Sequence, residues 1–75
     1  MSALKSFEVA VYNREVRRMM AEGRRHRDLS DAWAEIHYIE VKARSESEAR
    51  AQVASRYPAD RGYVIEDVIS EKFAD

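Results

Sequence analysis

Cysteine is absent from this 75-residue chain, and it carries only one proline, two glycines and one tryptophan. Without cysteine there is no disulfide, no thiolate metal site and no thiol nucleophile, and the expected compartment is the cytoplasm. So little glycine and proline excludes a loop-rich fold and a glycine-rich phosphate loop. No apolar run approaches the roughly 20 residues that a membrane span needs. The stretch Met1–Lys5 leads straight into a strand-like run with no apolar core of signal-peptide length, so no membrane association is expected. A net charge of −1 lacks the basic excess of dedicated nucleic-acid binders.

What is present is charge in quantity, and segregated. Charged residues make up 36% of the chain against 45% hydrophobic, a mixture that folds rather than staying disordered. A chain this short forms one domain, residues 1–75, and buries only about 60–65% of the surface its unfolded form exposes. The first 27 residues hold seven bases and three acids, a net +4, and the remaining 48 hold six bases and eleven acids, a net −5. Arg14, Arg17, Arg18, Arg24, Arg25 and Arg27 form a basic block with His26, against Glu15 and Glu22 alone. Such polarity biases what can dock where.

Phe7, Val9 and Val11 alternate with Glu8, Ala10 and Tyr12, which predicts a half-buried strand over Lys5–Tyr12. Asn13 is placed to cap a helix over Arg14–Glu22, with Val16, Met19 and Met20 as its apolar stripe and Gly23 as the residue that ends it. Arg24–Ala32 has no periodicity and reads as a polar loop, with one turn near Leu29–Trp33 that Leu29 and Trp33 could pin to the core. Alternation resumes over Glu35–Ala43, with His37, Ile39, Val41 and Ala43 on the expected core face and Ile36, Tyr38, Glu40 and Lys42 opposite. Ser45 and Glu48 have capping-box spacing, with Ser47 as a rival cap. They open a helix over Glu46–Arg56 that Pro58 closes, with Ala49 and Val53 inward. Gly62 precedes a third strand over Tyr63–Ile69, read with Val64 and Val68 on one side and Tyr63, Ile65 and Ile69 on the other. Glu71–Asp75 reads as a frayed tail.

The order β-α-β-α-β gives an α+β, two-layer domain: a three-stranded sheet with one or two helices on one face. A right-handed crossover and an antiparallel return between the second and third strands both remain open. The run from Ser47-Glu48-Ala49 through Tyr57-Pro58 to Gly62-Tyr63-Val64-Ile65 resembles a pattern in many small, largely uncharacterised bacterial proteins. The resemblance spans about a third of the chain, consists of structural punctuation, and implies the fold but no site.

Arg17, Arg18, Arg24, Arg25 and Arg27 are the candidate contacts to phosphate or to an acidic partner, because a guanidinium offers a planar fork of donors to either. Tyr12, Trp33 and Tyr38 are candidates to stack on unpaired bases or to line an interface. His26, Asp28 and Asp31 lie close in sequence but match no metal-ligand spacing, so neither metal nor cofactor is expected. Glu40 and Glu66 could approach across strands and shift one pKa upward, although a solvent-facing strand position opposed by Lys42 or an arginine is the plainer reading. No arrangement of nucleophile and base is evident, so no enzyme is expected. The chain reads as a small, non-catalytic interaction module that docks a protein partner or a second copy of itself, through an open sheet face or the arginine block. The alternatives are a nucleic-acid-associated protein that contacts phosphates through Arg14–Arg27, and a metal-binding or accessory enzyme subunit using His26 and Asp28.

Overall fold

The computed structural model describes residues 3–71. Three strands form one antiparallel sheet: β1 (Lys5–Asn13), β2 (His37–Ala43) and β3 (Tyr63–Ser70). The strand order is β2-β1-β3, so the first strand in the chain is the central one. The strands β2 and β3 are not neighbours; the connection between them passes over β1 and carries α2 (Glu46–Arg56). The shorter α1 (Arg14–Ala21) leaves the end of β1 and packs chiefly against a 3-10 turn at Asp31–Ala34.

Local chemistry explains where each helix starts and stops. The Oδ1 of Asn13 accepts from the N–H groups of Glu15 and Val16 at 3.0 and 3.1 Å, satisfying two of the orphan donors of α1. At the other end Gly23 adopts φ +73°, its N–H donates to Met20 O at 3.0 Å, and Arg24 N–H donates to Met19 O at 2.7 Å. That crossed pair of bonds is a Schellman close, which favours glycine at the left-handed position. For α2 the cap is Ser45, whose Oγ accepts from Glu48 N–H at 3.2 Å, while Glu48 Oε1 reaches back to Arg44 N–H at 3.1 Å. The reciprocal bond therefore lands one residue ahead of a standard capping box.

The core lies between α2 and one face of the sheet. Phe7, Val9 and Val11 on β1, Val41 and Ala43 on β2, and Val68 on β3 meet Ala49 and Val53 of α2. Trp33, Ile39, Tyr57, Tyr63 and Ile65 pack against this cluster. Mostly small aliphatic side chains fit a thin two-layer domain, in which one helix must cover three strands.

The third strand departs from the alternation expected of it. Ala10 pairs with Asp67 but Val11 pairs with Ile65, so Glu66 is an extra residue in a β-bulge. The bulge inverts the phase of the strand: Tyr63 and Ile65 share the core face with Val68, and Val64 lies opposite with Asp67 and Ile69. The expected loop contains the 3-10 turn at Asp31–Ala34, and β2 starts at His37 rather than Glu35. Of the expected tail, Glu71 N–H donates to Ser6 O at 2.9 Å, and residues 72–75 lie outside the described residues.

Candidate functional site

Among the described residues, the sheet face away from α2 has no helix laid across it. Strand register arranges it in rows: Tyr12 beside Val64, then Tyr38–Ala10–Asp67, then Glu40–Glu8–Ile69, then Lys42–Ser6. Ile36 and Leu4 extend the alternation just beyond β2 and β1, at opposite ends of the face. Tyr38 is 57% exposed, and Leu4, Ile36 and Ile69 are exposed as well. Ala10 and Ser6 are buried on this face although no helix covers it among the described residues, because small side chains on the central strand are shadowed by longer neighbours on both flanks. Lys42 Nζ closes over Ser6 by donating to its Oγ at 2.7 Å.

The face is electrically uneven. Glu8 and Glu40 are directly opposed across β1 and β2, a like-charge pair that costs stability. Glu71 joins them. Its carboxyl is held above its ordinary value, first by desolvation, then by the charge of Glu40 and a hydrogen bond with it, and by Glu8, with Lys42 opposing. Glu40 does not meet Glu66, because β1 lies between their strands and Glu66 sits in the bulge; Glu40 is grouped instead with Glu8 and Glu71. At the other end of the face the guanidinium of Arg17 lies 3.7 Å from the centroid of the Tyr12 ring, and its Nε donates to Ala34 O at 2.9 Å. A cation thus caps one end and carboxylates gather toward the other.

The arginine block does not form one equivalent set. Arg17 is committed to Tyr12 and Ala34. Arg24 pairs with Glu22 at 3.2 Å and Arg25 with Asp31 at 3.9 Å, both largely exposed, so the pairs contribute little. Arg14, Arg18 and Arg27 are exposed and make no ion pair among the described residues. Positions 14, 17 and 18 fall on one side of α1, opposite the buried Val16.

The three candidate aromatics are divided between faces. Tyr12 and Tyr38 lie on the open face. Trp33 lies on the core side: its ring stacks on His37 with centroids 4.3 Å apart and meets Tyr57 and Tyr63 at 5.5 and 5.3 Å. It anchors the 3-10 turn to the ends of α2 and β3 and does not join the other two in a stacking platform.

His26 was a weak metal candidate, and the structure gives it another task. Its Nδ1 accepts from the N–H groups of both Asp28 and Leu29 at 3.1 Å, which fixes the proton of the neutral ring on Nε2. Nε2 then points at Glu15 Oε1, 3.4 Å away. Both ring nitrogens are engaged, so His26 ties the loop to α1. No group of three or more histidine, aspartate or glutamate side chains able to hold a metal ion occurs among the described residues. His26 and Glu15 line an open cavity of about 440 Å³ with Asp28, Leu29, Asp60, Arg61 and Tyr63. No helix among the described residues is long and apolar enough to cross a membrane.

The phase of β3 and the Glu8–Glu40 opposition escaped the sequence because each depends on register. His26 as a loop tie had one local signal, an Asp two residues on whose N–H an imidazole can accept. No protein-family model, curated protein or solved structure matches this chain.

Proposed function

We propose that this is a non-catalytic docking module whose open sheet face associates with a second copy of itself. The observation that carries the reading is the concentration of exposed apolar side chains there: Tyr38 and Ile69 lie on that face, and Leu4 and Ile36 extend it. An apolar surface left in water on one side of a small sheet is an interface in waiting. Charge selects the occupant. In a face-to-face pair with the twofold axis lying between the sheets, across the strands at Ala10, the Tyr12 row of one copy meets the Glu8 row of the other. Arg17 of each copy then approaches Glu8 and Glu40 of its partner, so both ends are satisfied at once, as a self-complementary interface requires.

Size sets the strength. Three strands at ~4.8 Å spacing and eight residues at ~3.3 Å rise give a projected face of roughly 380 Å². Stable interfaces use about 800 Å² per partner, so the association is weak and concentration-dependent. Sedimentation equilibrium from micromolar to millimolar protein tests it. The mass should rise from 8.7 kDa toward twice that value. Tyr38→Lys together with Ile69→Lys should restore the monomer, and salt should weaken the pair. A monomer at every concentration overturns the reading and leaves a different protein as the partner.

A second reading, contact to phosphates, is favoured by Arg14 and Arg18, which share one side of α1 and make no ion pair among the described residues. Amide-resolved titration with short RNA and DNA at low salt tests it. Shifts over Arg14–Trp33 that vanish as salt rises support phosphate contact, and an unchanged spectrum removes it.

A further inference from the structure

We infer a second binding site, separate from the open face: a groove along the free edge of β3 that takes an extended acidic peptide by strand addition. The order β2-β1-β3 leaves the outer edge of β3 without a strand partner among the described residues. Beside it lies an open cavity of about 380 Å³. Val64 and Ile65 both line it although their side chains point to opposite faces of the sheet, so the cavity runs along the backbone edge where unpaired N–H and C=O groups stand. The far wall is α2, whose Arg50, Ala54 and Tyr57 at spacing i, i+4, i+7 present one side of the helix. An edge strand facing a helix across a groove is a geometry suited to strand addition: main-chain bonds supply affinity and the helix wall reads alternate side chains.

The lining chooses the sequence of the guest. Arg14 and Arg50 are the charged side chains of its lining, and no carboxylate joins them among the described residues. Arg14 is held at the mouth by its own N–H, which donates to Gly62 O at 2.8 Å. Ala54 and Tyr57 between them offer an apolar floor. A strand turns every second side chain toward the helix, so a carboxylate on that side meets a guanidinium and a small apolar group two residues along meets Ala54 and Tyr57. The bulge at Glu66 ends the regular edge, so only Tyr63–Ile65 can pair and the affinity is modest.

The test uses two fluorescein-labelled peptides, acetyl-Glu-Thr-Val-Thr-Glu-Thr-amide and acetyl-Lys-Thr-Val-Thr-Lys-Thr-amide, with anisotropy and amide NMR on the whole chain. The acidic peptide should bind and shift the amides of Arg50, Ala54, Tyr57 and Tyr63–Ile65. Arg50→Glu should weaken it about tenfold or more, while Arg44→Glu, a charge reversal just past the end of β2 at the opposite edge of the sheet, should change it by less than about threefold. Both side chains are exposed, and circular dichroism should show both variants folded. Absence of binding up to millimolar protein, equal binding of the basic peptide, or equal losses in the two variants overturns the proposal. Shifts confined to the Tyr38 and Ile69 face overturn it as well, and would assign acidic peptides to the open face instead.

Discussion

The α-carbon of Gly62 stands so close to Asn13 that a methyl group added to it would lie 2.8 Å from Asn13 Oδ1 and 2.8 Å from Glu15 Cγ. Gly62 also has φ +94°, a conformation costly for any side chain. Asn13, fully buried, uses its Oδ1 to cap α1 and its Nδ2 to donate to Arg61 O at 3.0 Å. The start of α1 and the start of β3 are thus fastened at one point, where the chain can afford neither a larger residue nor a missing polar group.

Gly62→Ala is expected to destabilise the domain by about 2 kcal/mol or more, from positive-φ strain plus displacement of the Asn13 cap. Gly23→Ala supplies the contrast, because its φ is also positive but nothing lies within 4 Å of the added methyl. It should cost only about 1 kcal/mol. Urea unfolding of the two variants measures the difference, and equal losses would mean that the contact with Asn13 is slack.

Asn13→Asp keeps an oxygen for the cap but loses the donor to Arg61 O and buries a charge. A loss of about 2–4 kcal/mol is expected at neutral pH, well above the ~1 kcal/mol of an ordinary cap deletion. The loss should shrink in acid as the carboxyl protonates. A pH-independent loss near 1 kcal/mol would reduce Asn13 to a simple cap.

Val53→Asp places a carboxylate at the centre of the α2–sheet contact, where Val53 is 1% exposed. For a chain of this length, with total stability of roughly 4–11 kcal/mol, the variant should not fold at room temperature. Cooperative melting near the parent temperature would place the buried side of α2 elsewhere.

Glu40→Lys turns the opposed Glu8–Glu40 pair into an attractive one and removes the largest charge holding up the Glu71 pKa. A gain of about 0.5–1 kcal/mol is expected in dilute protein at neutral pH. Because the Glu71 pKa is raised in the fold, its contribution favours folding below the ordinary carboxyl pKa of 4.5 and is lost as pH rises through the folded value. The benefit of Glu40→Lys should therefore fade in acid and in high salt. A gain unaffected by either would have a cause other than charge.

Tyr63 carries the opposite end of the pH range. Burial holds its phenol above the ordinary value of 10.0, with Tyr57 adding and Arg61 opposing. Both folded and unfolded chains hold the proton below pH 10, so stability is flat there for this group. Above it the unfolded chain loses the proton first and stability falls. Comparing wild type with Tyr63→Phe between pH 8 and 11 isolates the effect, because the variant should lose stability less steeply. Parallel curves would mean that Tyr63 ionises as it does in water.

Much of this fold was legible in the sequence because its elements are punctuated locally. Asn13 and Gly23 bound α1, Ser45 and Pro58 bound α2, and period-two alternation marks β1 and β2; each is a short-range preference that tertiary packing did not override. The phase of β3 was illegible because one extra residue, Glu66, shifts every side chain after it, and no composition signal announces it. The candidate site was legible as a list and not as a surface. Tyr12 and Tyr38 share the open face, but Trp33 is drawn to the core by Tyr57 and Tyr63, partners that follow it by more than twenty residues. Arg17 could not be told from Arg18 by sequence, since the Tyr12 ring and the turn at Asp31–Ala34 commit it only in the fold.

The earliest strand of this sheet occupies its middle. Val9 and Val11 therefore find no hydrogen-bonded shelter from their sequence neighbours, and each waits for strands made later on either flank. A chain with its first strand at the edge could lay the sheet down piece by piece during synthesis. Here the most apolar strand can pair with His37–Ala43 on one side but keeps its other edge open until Tyr63–Ser70 arrives, so anything that binds that edge meanwhile competes directly with folding.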